Sequence, residues 1–229
     1  MVKLRLNAGN VLNENIHQIG ILALGSHLEN HGPALPIDTD AKISSYIAFK
    51  SSLLSGAKYL GVVYPSYELD EIDHGNHNTI EEVVKEIKKI IASAKKYLHI
   101  KKLIIVNGHG GNIPVFQYIY DIQEDTGVNI IINNKIVELE GPHGGTGEIS
   151  LGKVLEIVNE DQVKNQGDYK QYGEIGLYAF TEARKNDPGI EKNAKYLEEN
   201  GVYMDESYGE ELFSLAINSV LCDLEKLLK

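Results

Sequence analysis

Four short runs rich in β-branched residues recur between longer amphipathic stretches, and this alternation constrains the chain more than any other feature of its sequence. The runs are Ile19 to Leu24, Tyr59 to Tyr64, Leu103 to Val106 and Val128 to Ile132. Their continuous apolar character predicts strands covered on both faces, as in a parallel sheet. Between them, Ala41 to Leu54, Ile80 to Leu98 and Val115 to Gln123 read as helices. In the second of these, Ile80, Val83, Val84, Ile87, Ile90 and Ile91 fall at helical spacing. Strands alternating with helices imply a layered α/β/α fold around a mostly parallel central sheet.

After Lys135 the pattern loosens into a Gly-rich tract, GPHGGTGEISLG, followed by a helix candidate and a polar segment from Asn165 to Gly173. Asn186-Asp187-Pro188-Gly189 is a turn signal, and Ile190 to Glu199 and Glu210 to Leu228 read as helices beyond it. No linker, repeat or low-complexity segment interrupts the chain, and 229 residues suffice for one core, so a single domain over 1–229 is expected. No apolar run approaches the roughly 18 residues of a membrane span. The opening MVKLRLNAGN lacks the apolar stretch of a secretory signal, which makes a cytoplasmic location the expectation.

The formal charge of −11 argues against nucleic acid as a partner, because phosphate backbones are gripped through basic surfaces, and favours cations or small ligands. Cys222 is the only cysteine, which excludes an intramolecular disulfide and any multi-thiolate zinc site. It falls in the apolar pattern of the last helix and is expected there as a buried small hydrophobe.

Ligand sites in open parallel sheets gather beyond the carboxyl ends of the strands. The first strand is followed by GSHLENHGPALPIDTD, which holds His27, Glu29, His31, Asp38 and Asp40; the third is followed by NGHGGN, which holds His109. Glu29 and His31, two residues apart, share one side of an extended segment, where they either face a common cavity or decorate a surface loop. Asp40 either binds metal or caps the next helix, and Asp38 is the better purely capping candidate. The glycines around His109 permit close approach of a ligand. Two carboxylates and two imidazoles suit Zn(II), Mn(II) or Fe(II), as one ion or as a carboxylate-bridged pair able to activate a shared water for attack on an amide.

These tracts resemble the signatures of the creatininase family: Gly-Ser, Glu-x-His-Gly-Pro, Leu-Pro and a final Asp in the first, and NGHGGN in the second. A third tract, HGGTGEIS from His143 to Ser150, is similar to the family's His-Ala-Gly-x-x-Glu-Thr-Ser element. The resemblance covers about residues 19 to 150. It implies two divalent ions per subunit, Fe(II) first with Mn(II) or Zn(II) as alternatives. It puts Glu29, Asp40 and His109 at one ion and His31 with Asp40 at the other, Asp40 bridging. Creatininases proper carry a Glu two residues after the second-motif histidine, where this chain has Gly111. That departure points away from creatinine and makes Glu148 the candidate for the missing carboxylate or for a proton shuttle. His143 is then a candidate to polarise the substrate carbonyl or protonate the leaving amine. Glu148 as a helix cap and His143 as an ordinary loop residue are the structural alternatives.

In PSYELDEIDHGNHNTI the family has a substrate-facing loop, which makes Tyr67, His74 and His77 candidate substrate contacts; the alternative is a solvated loop before a helix cap at Asn78 or Thr79. The first tract and FTEARKN, Phe180 to Asn186, bring the chain nearest to the archaeal branch, whose members remove formate from a formylamino-pyrimidine ribonucleotide. The resemblance thus implies a pyrimidine 5'-monophosphate as substrate and a homo-oligomer, dimer or hexamer. Arg184, Lys185 and Lys42 are candidates for the phosphate or are surface charges. Two rivals stand beside this reading: another amidohydrolase of the family acting on a cyclic amide or peptide-derived precursor, and a non-catalytic metal-binding protein. A phosphate loop at NGHGGN is disfavoured, since it lacks the P-loop Lys-Ser/Thr.

Overall fold

A computed structural model of the chain describes residues 13–229; the expectation drawn from residues 1–10 lies outside them. The strands are β1 (Ile19–Leu24), β2 (Lys58–Val63), β3 (Lys102–Asn107) and β4 (Asn129–Asn133). They form one parallel sheet in the order β2-β1-β3-β4. The interleaved helices are α1 (Thr39–Ser55), α2 (Ile80–Leu98), α3 (Ile119–Thr126), α4 (Lys135–Leu139) and α5 (Thr146–Val154). Beyond them come α6 (Val163–Gln166), α7 (Thr181–Asn186), α8 (Pro188–Asn200) and α9 (Glu206–Leu228).

The unbroken apolar strands follow from cover on both faces. Ile19, Ile21 and Ala23 of β1, with Ile104 and Val106 of β3, pack on Ile43 and Ile47 of α1 and on Leu212, Phe213, Val220 and Leu224 of α9. Leu22 and Leu24, with Leu103 and Ile105, face the other way onto Val83, Ile87 and Ile91 of α2 and Ile122 of α3. Successive residues of a strand thus feed two cores, and the α/β/α layering expected from the sequence is what forms. Helix α2 begins where predicted because Thr79 and Glu82 make a reciprocal capping box.

Three local expectations are corrected. The stretch Val115 to Gln123 is a 3₁₀ helix, Gly110–Tyr118, passing into α3; Pro114 lies inside it and supplies no N–H to an α-helical ladder. Asp38 occupies the N-cap position of α1 without capping, because its carboxylate is drawn 2.6 Å from Lys42 Nζ one turn on. Cys222 is exposed on the outer side of α9, between the inward-facing Val220 and Leu224. Among the described residues no helix is long and apolar enough to cross a membrane.

Helix α5 is seated by a backbone-close contact with α9. A Cβ on Gly209 would lie 2.2 Å from the Ser150 carbonyl oxygen, so only glycine allows the two helices to meet this closely. Gly209→Ala should lower stability by up to about 2 kcal/mol: overpacking against a backbone carbonyl costs about 1–3 kcal/mol, against a gain of about 1 in helix propensity. Urea denaturation midpoints measure it, and an unchanged or raised midpoint contradicts the packing argument.

Candidate metal centre

Strands β1 and β3 are neighbours, with Leu24 level with Asn107, so the segments leaving their carboxyl ends emerge side by side. The β1 segment delivers Glu29 and His31 and runs into the first turn of α1, which carries Asp40. The β3 segment delivers His109, and the first turn of α5 adds Glu148. All are buried, none more than 4 % exposed. Asp40 stands in the middle: its Oδ1 lies 2.9 Å from His31 Nε2 and its Oδ2 2.9 Å from His109 Nδ1. Glu29 Oε2 is 2.8 Å from His109 Nδ1, and Glu148 Oε2 is 3.8 Å from His31 Nε2. His31, Asp40 and Glu148 each bring a ligand atom within 4.8 Å of the others.

Backbone carbonyls orient both imidazoles. His109 Nε2 faces the Tyr67 carbonyl at 3.1 Å, and His31 Nδ1 faces the Glu29 carbonyl at 3.2 Å. A carbonyl only accepts, so the nitrogen opposite it carries a proton, and the other nitrogen of each ring faces the carboxylates. This is how metal-binding histidines are commonly held. Asn107 steadies the His109 turn by donating from Nδ2 to the His109 carbonyl at 2.9 Å.

The electrostatics are those of an acidic group packed out of water. Burial pushes Glu29 up to about 8 and Glu148 up to about 7, with the charge of Asp40 adding to both. Burial works against Asp40 too, but His31 and His109 outweigh it and hold its carboxyl well below the usual range. Both imidazoles are disfavoured as cations by burial, yet the surrounding carboxylates hold them well above the usual histidine range.

His143 lies beside this cluster. Its Nε2 donates to the Asn30 carbonyl at 2.6 Å, its Nδ1 is 3.3 Å from Glu29 Oε1, and its ring lies 4.6 Å from that of His31. Burial, with the charges of His31 and His74, holds it well below the usual range, so it is a neutral imidazole. Glu148 accepts the Gly144 N–H at 2.7 Å and so fastens the turn before α5 while its carboxyl faces His31.

The remaining candidates disperse. Tyr67 meets the centre through its carbonyl rather than its phenol. His74 stacks on His143 at 5.6 Å and packs against Phe180; burial, then His31, pulls it down to about 4. His77 is exposed, and Thr79 caps the helix beyond it. Arg184 is bound by Glu191 at 2.6 Å and Glu198 at 2.8 Å, apart from the centre. Lys185 pairs with Glu182 and Lys42 with Asp38. His27 packs against Tyr64.

A cavity of about 200 Å³ opens over Glu29, Asp40, His109, His143 and Glu148, walled by Leu69, Ile72, Ile113, Val137, Leu177 and Ile190. It is also lined by two acids the sequence reading passed over, Glu68 and Glu140, each with a buried Oε2 that has no hydrogen-bond partner. Burial, then the charge of Glu148, raises Glu140 well above the carboxylate range. Both lie in or beside tracts already singled out, but no ligand spacing marks either; the signal available was only an acid next to a motif.

Comparison with known proteins agrees with this geometry. Residues 11–221 match the family model for creatininase, described as creatinine amidohydrolase. A 2-amino-5-formylamino-6-ribosylaminopyrimidin-4(3H)-one 5'-monophosphate deformylase from Methanobrevibacter ruminantium is 63% identical, over 99% of this chain and 97% of its own. The protein of the same name from Methanobrevibacter smithii is 60% identical over 100% of this chain and 99% of its own. Among solved structures, a creatinine amidohydrolase superposes with a TM-score of 0.66 at 15% identity, covering 91% of this chain and 89% of that one. A creatininase described as Mn superposes at 0.62, with 14% identity over 91% of this chain and 90% of that one.

A pH dependence follows for the cation-free protein. Glu29 and Glu148 titrate at about 8 and about 7 when folded, against 4.5 for an unperturbed glutamate, so between these values the folded state binds more protons than the unfolded one. Stability then falls as pH rises through this window. His31 and His109, raised above 6.5, act in the same direction, while Asp40, lowered, is ionised in both states there and adds no slope. Chelator-treated protein should melt at lower temperature at pH 8 than at pH 5.5; a flat or rising melting temperature contradicts the assignment.

Proposed function

Since the chain belongs to the creatininase family, we infer that it is a hydrolase of a non-peptide C–N bond. Its substrate is 2-amino-5-formylamino-6-ribosylaminopyrimidin-4(3H)-one 5'-monophosphate, from which it releases formate and leaves the 5-amino product. The substrate comes from the relatives of the same length, 63% and 60% identical, that carry this activity in their names. The observation that carries the chemistry is the split carboxylate of Asp40, with one oxygen against each of two oppositely placed imidazoles.

The donor set fits a pair of divalent ions. Three carboxylates, Glu29, Asp40 and Glu148, and two imidazoles without a thiolate suit hard-to-borderline ions. Glu68 Oε2, on the same cavity, is buried with no hydrogen-bond partner, as a group awaiting a cation is. Glu29, Asp40 and His109 would hold one ion, and His31, Asp40 and Glu148 the other, with Fe(II) the first choice and Mn(II) or Zn(II) the alternatives. When bound, such ions polarise an amide carbonyl and acidify water.

The side chains supply the rest. Glu148, which lines the cavity and is held by the Gly144 N–H, takes a proton from the attacking water and returns it to the departing ring amine. His143 is neutral and its Nε2 proton is committed to the Asn30 carbonyl, so it is not the acid that protonates the amine. Leu69, Ile72, Ile113 and Leu177 keep bulk water from the reacting amide. The chain acts as one domain over 1–229, supported by the two cores sharing a single sheet. Self-association is proposed on an exposed aromatic pair, Phe49 of α1 and Tyr59 of the edge strand β2, which meet edge to face.

Protein purified without oxygen should release formate from the formylamino-pyrimidine nucleotide and leave creatinine untouched; turnover of creatinine instead would overturn the substrate. Asp40→Asn and His109→Ala should each lower formate release at least about 100-fold while the circular dichroism spectrum stays that of the folded chain. Full activity in either removes the metal assignment.

A further inference from the structure

Glu68 lies in the segment between β2 and α2, whose other acids, Asp70, Glu71 and Asp73, are exposed as a solvated loop requires. Glu68 is instead 2 % exposed. The segment is clamped to the glycine tract after β3: the Tyr67 N–H donates to Asn112 Oδ1 at 3.0 Å, and the Tyr67 carbonyl faces His109 Nε2. This clamp carries the next side chain inward. Glu68 Oε1 accepts the Leu69 N–H at 2.8 Å, and Oε2, with no hydrogen-bond partner, is 3.4 Å from His109 Nε2.

We propose that Glu68 is a further metal-ligating carboxylate, completing the Glu29–His109 side of the centre from the loop between β2 and α2, outside the tracts that carry the other ligands. The proposal rests on the two-ion reading above. Glu29, Glu68 and His109 each place a ligand atom within 4.8 Å of the others. Gly111 is what admits the side chain. A Cβ at position 111 would lie 2.7 Å from Glu68 Oε1, 2.6 Å from the Tyr67 carbonyl oxygen and 2.5 Å from His109 Nε2. The space beside His109 that a side chain at 111 would need is therefore taken by Glu68, and the carboxylate missing from the motif is returned from across the site. The charges also close: Glu29, Asp40, Glu68 and Glu148 carry four negative charges when ionised, the amount two divalent ions neutralise.

The test is metal content and affinity, read independently of turnover. Wild type, Glu68→Gln and Asp40→Asn are stripped with chelator, reloaded with Mn(II) without oxygen, and measured by calorimetric titration and by elemental analysis after dialysis. Wild type should retain two ions, and Glu68→Gln should weaken one of them at least about 10- to 100-fold while the other keeps its affinity. Glu68→Asp, which keeps the charge but shortens the arm, should fall between, and it stands in if Glu68→Gln does not fold. Gly111→Ala should mimic Glu68→Gln by pushing the carboxylate aside. Two ions at wild-type affinity in both Glu68 variants overturns the proposal while leaving the two-ion reading intact. No Mn(II) bound by wild type overturns both, and loss in Asp40→Asn but not in the Glu68 variants separates them.

Discussion

The structure is organised around the cost of burying carboxylates. Glu29, Asp40, Glu68, Glu140 and Glu148 all lie within 7 % of full burial around one cavity, with His31, His109 and the neutral His143 among them. Removing one such charge from water costs several kcal/mol unless it is paired. The cation-free protein meets that cost with protons, which is why Glu29 and Glu148 titrate so late and both metal-facing imidazoles hold theirs. Those protons occupy the lone pairs that a cation would use. The acidic cluster thus has the make-up of the proposed cation site, and loading of such ions would release protons.

The fold's part is to make this crowding unavoidable. Parallel pairing puts the ends of β1 and β3 level, and the two segments that leave them have no room to separate. The helix that follows β1 starts late enough to place Asp40, not Asp38, in its first turn facing inward. On the far side, α5 is pressed toward the centre by α9, and this fixes how far Glu148 reaches. Each ligand thus comes from an element whose position is set by core packing, with the glycine tracts used only where a backbone must pass close by.

Most of this was legible from periodicity. β1 and α2 fall on the predicted residues because an unbroken apolar run and a helical stripe are each fixed by burial, with no long-range exception. Glu29, His31, Asp40 and His109 stood out as candidates in the motif-bearing tracts after β1 and β3, and the structure brings their side chains together. Glu68 was not: it is one acid among several in a polar loop, and what distinguishes it is a contact with Asn112, far away in sequence. Glu140 was hidden likewise, at the end of a short helix that the Gly-rich tract obscured. Arg184 illustrates the opposite error. A basic residue in a family-like motif suggested an anion, but Glu191 and Glu198 occupy it, a neighbourhood set by how α7 and α8 pack.

The acidity of the centre also dictates how a nucleotide can enter. A cavity of about 200 Å³ is smaller than the roughly 300–1,000 Å³ of pockets that enclose a whole ligand, so only the reacting end of the substrate fits. The described residues lining it include neither Lys nor Arg, and its floor is carboxylate. A phosphate dianion presented to that floor meets like charge in a poorly screened site, whereas a neutral formamide on an aromatic ring meets apolar walls and polar groups suited to a carbonyl. On the proposed function, orientation would be enforced by exclusion: carboxylates placed to hold the cations would turn the phosphate outward and leave the formyl carbon as the part of the substrate able to approach them.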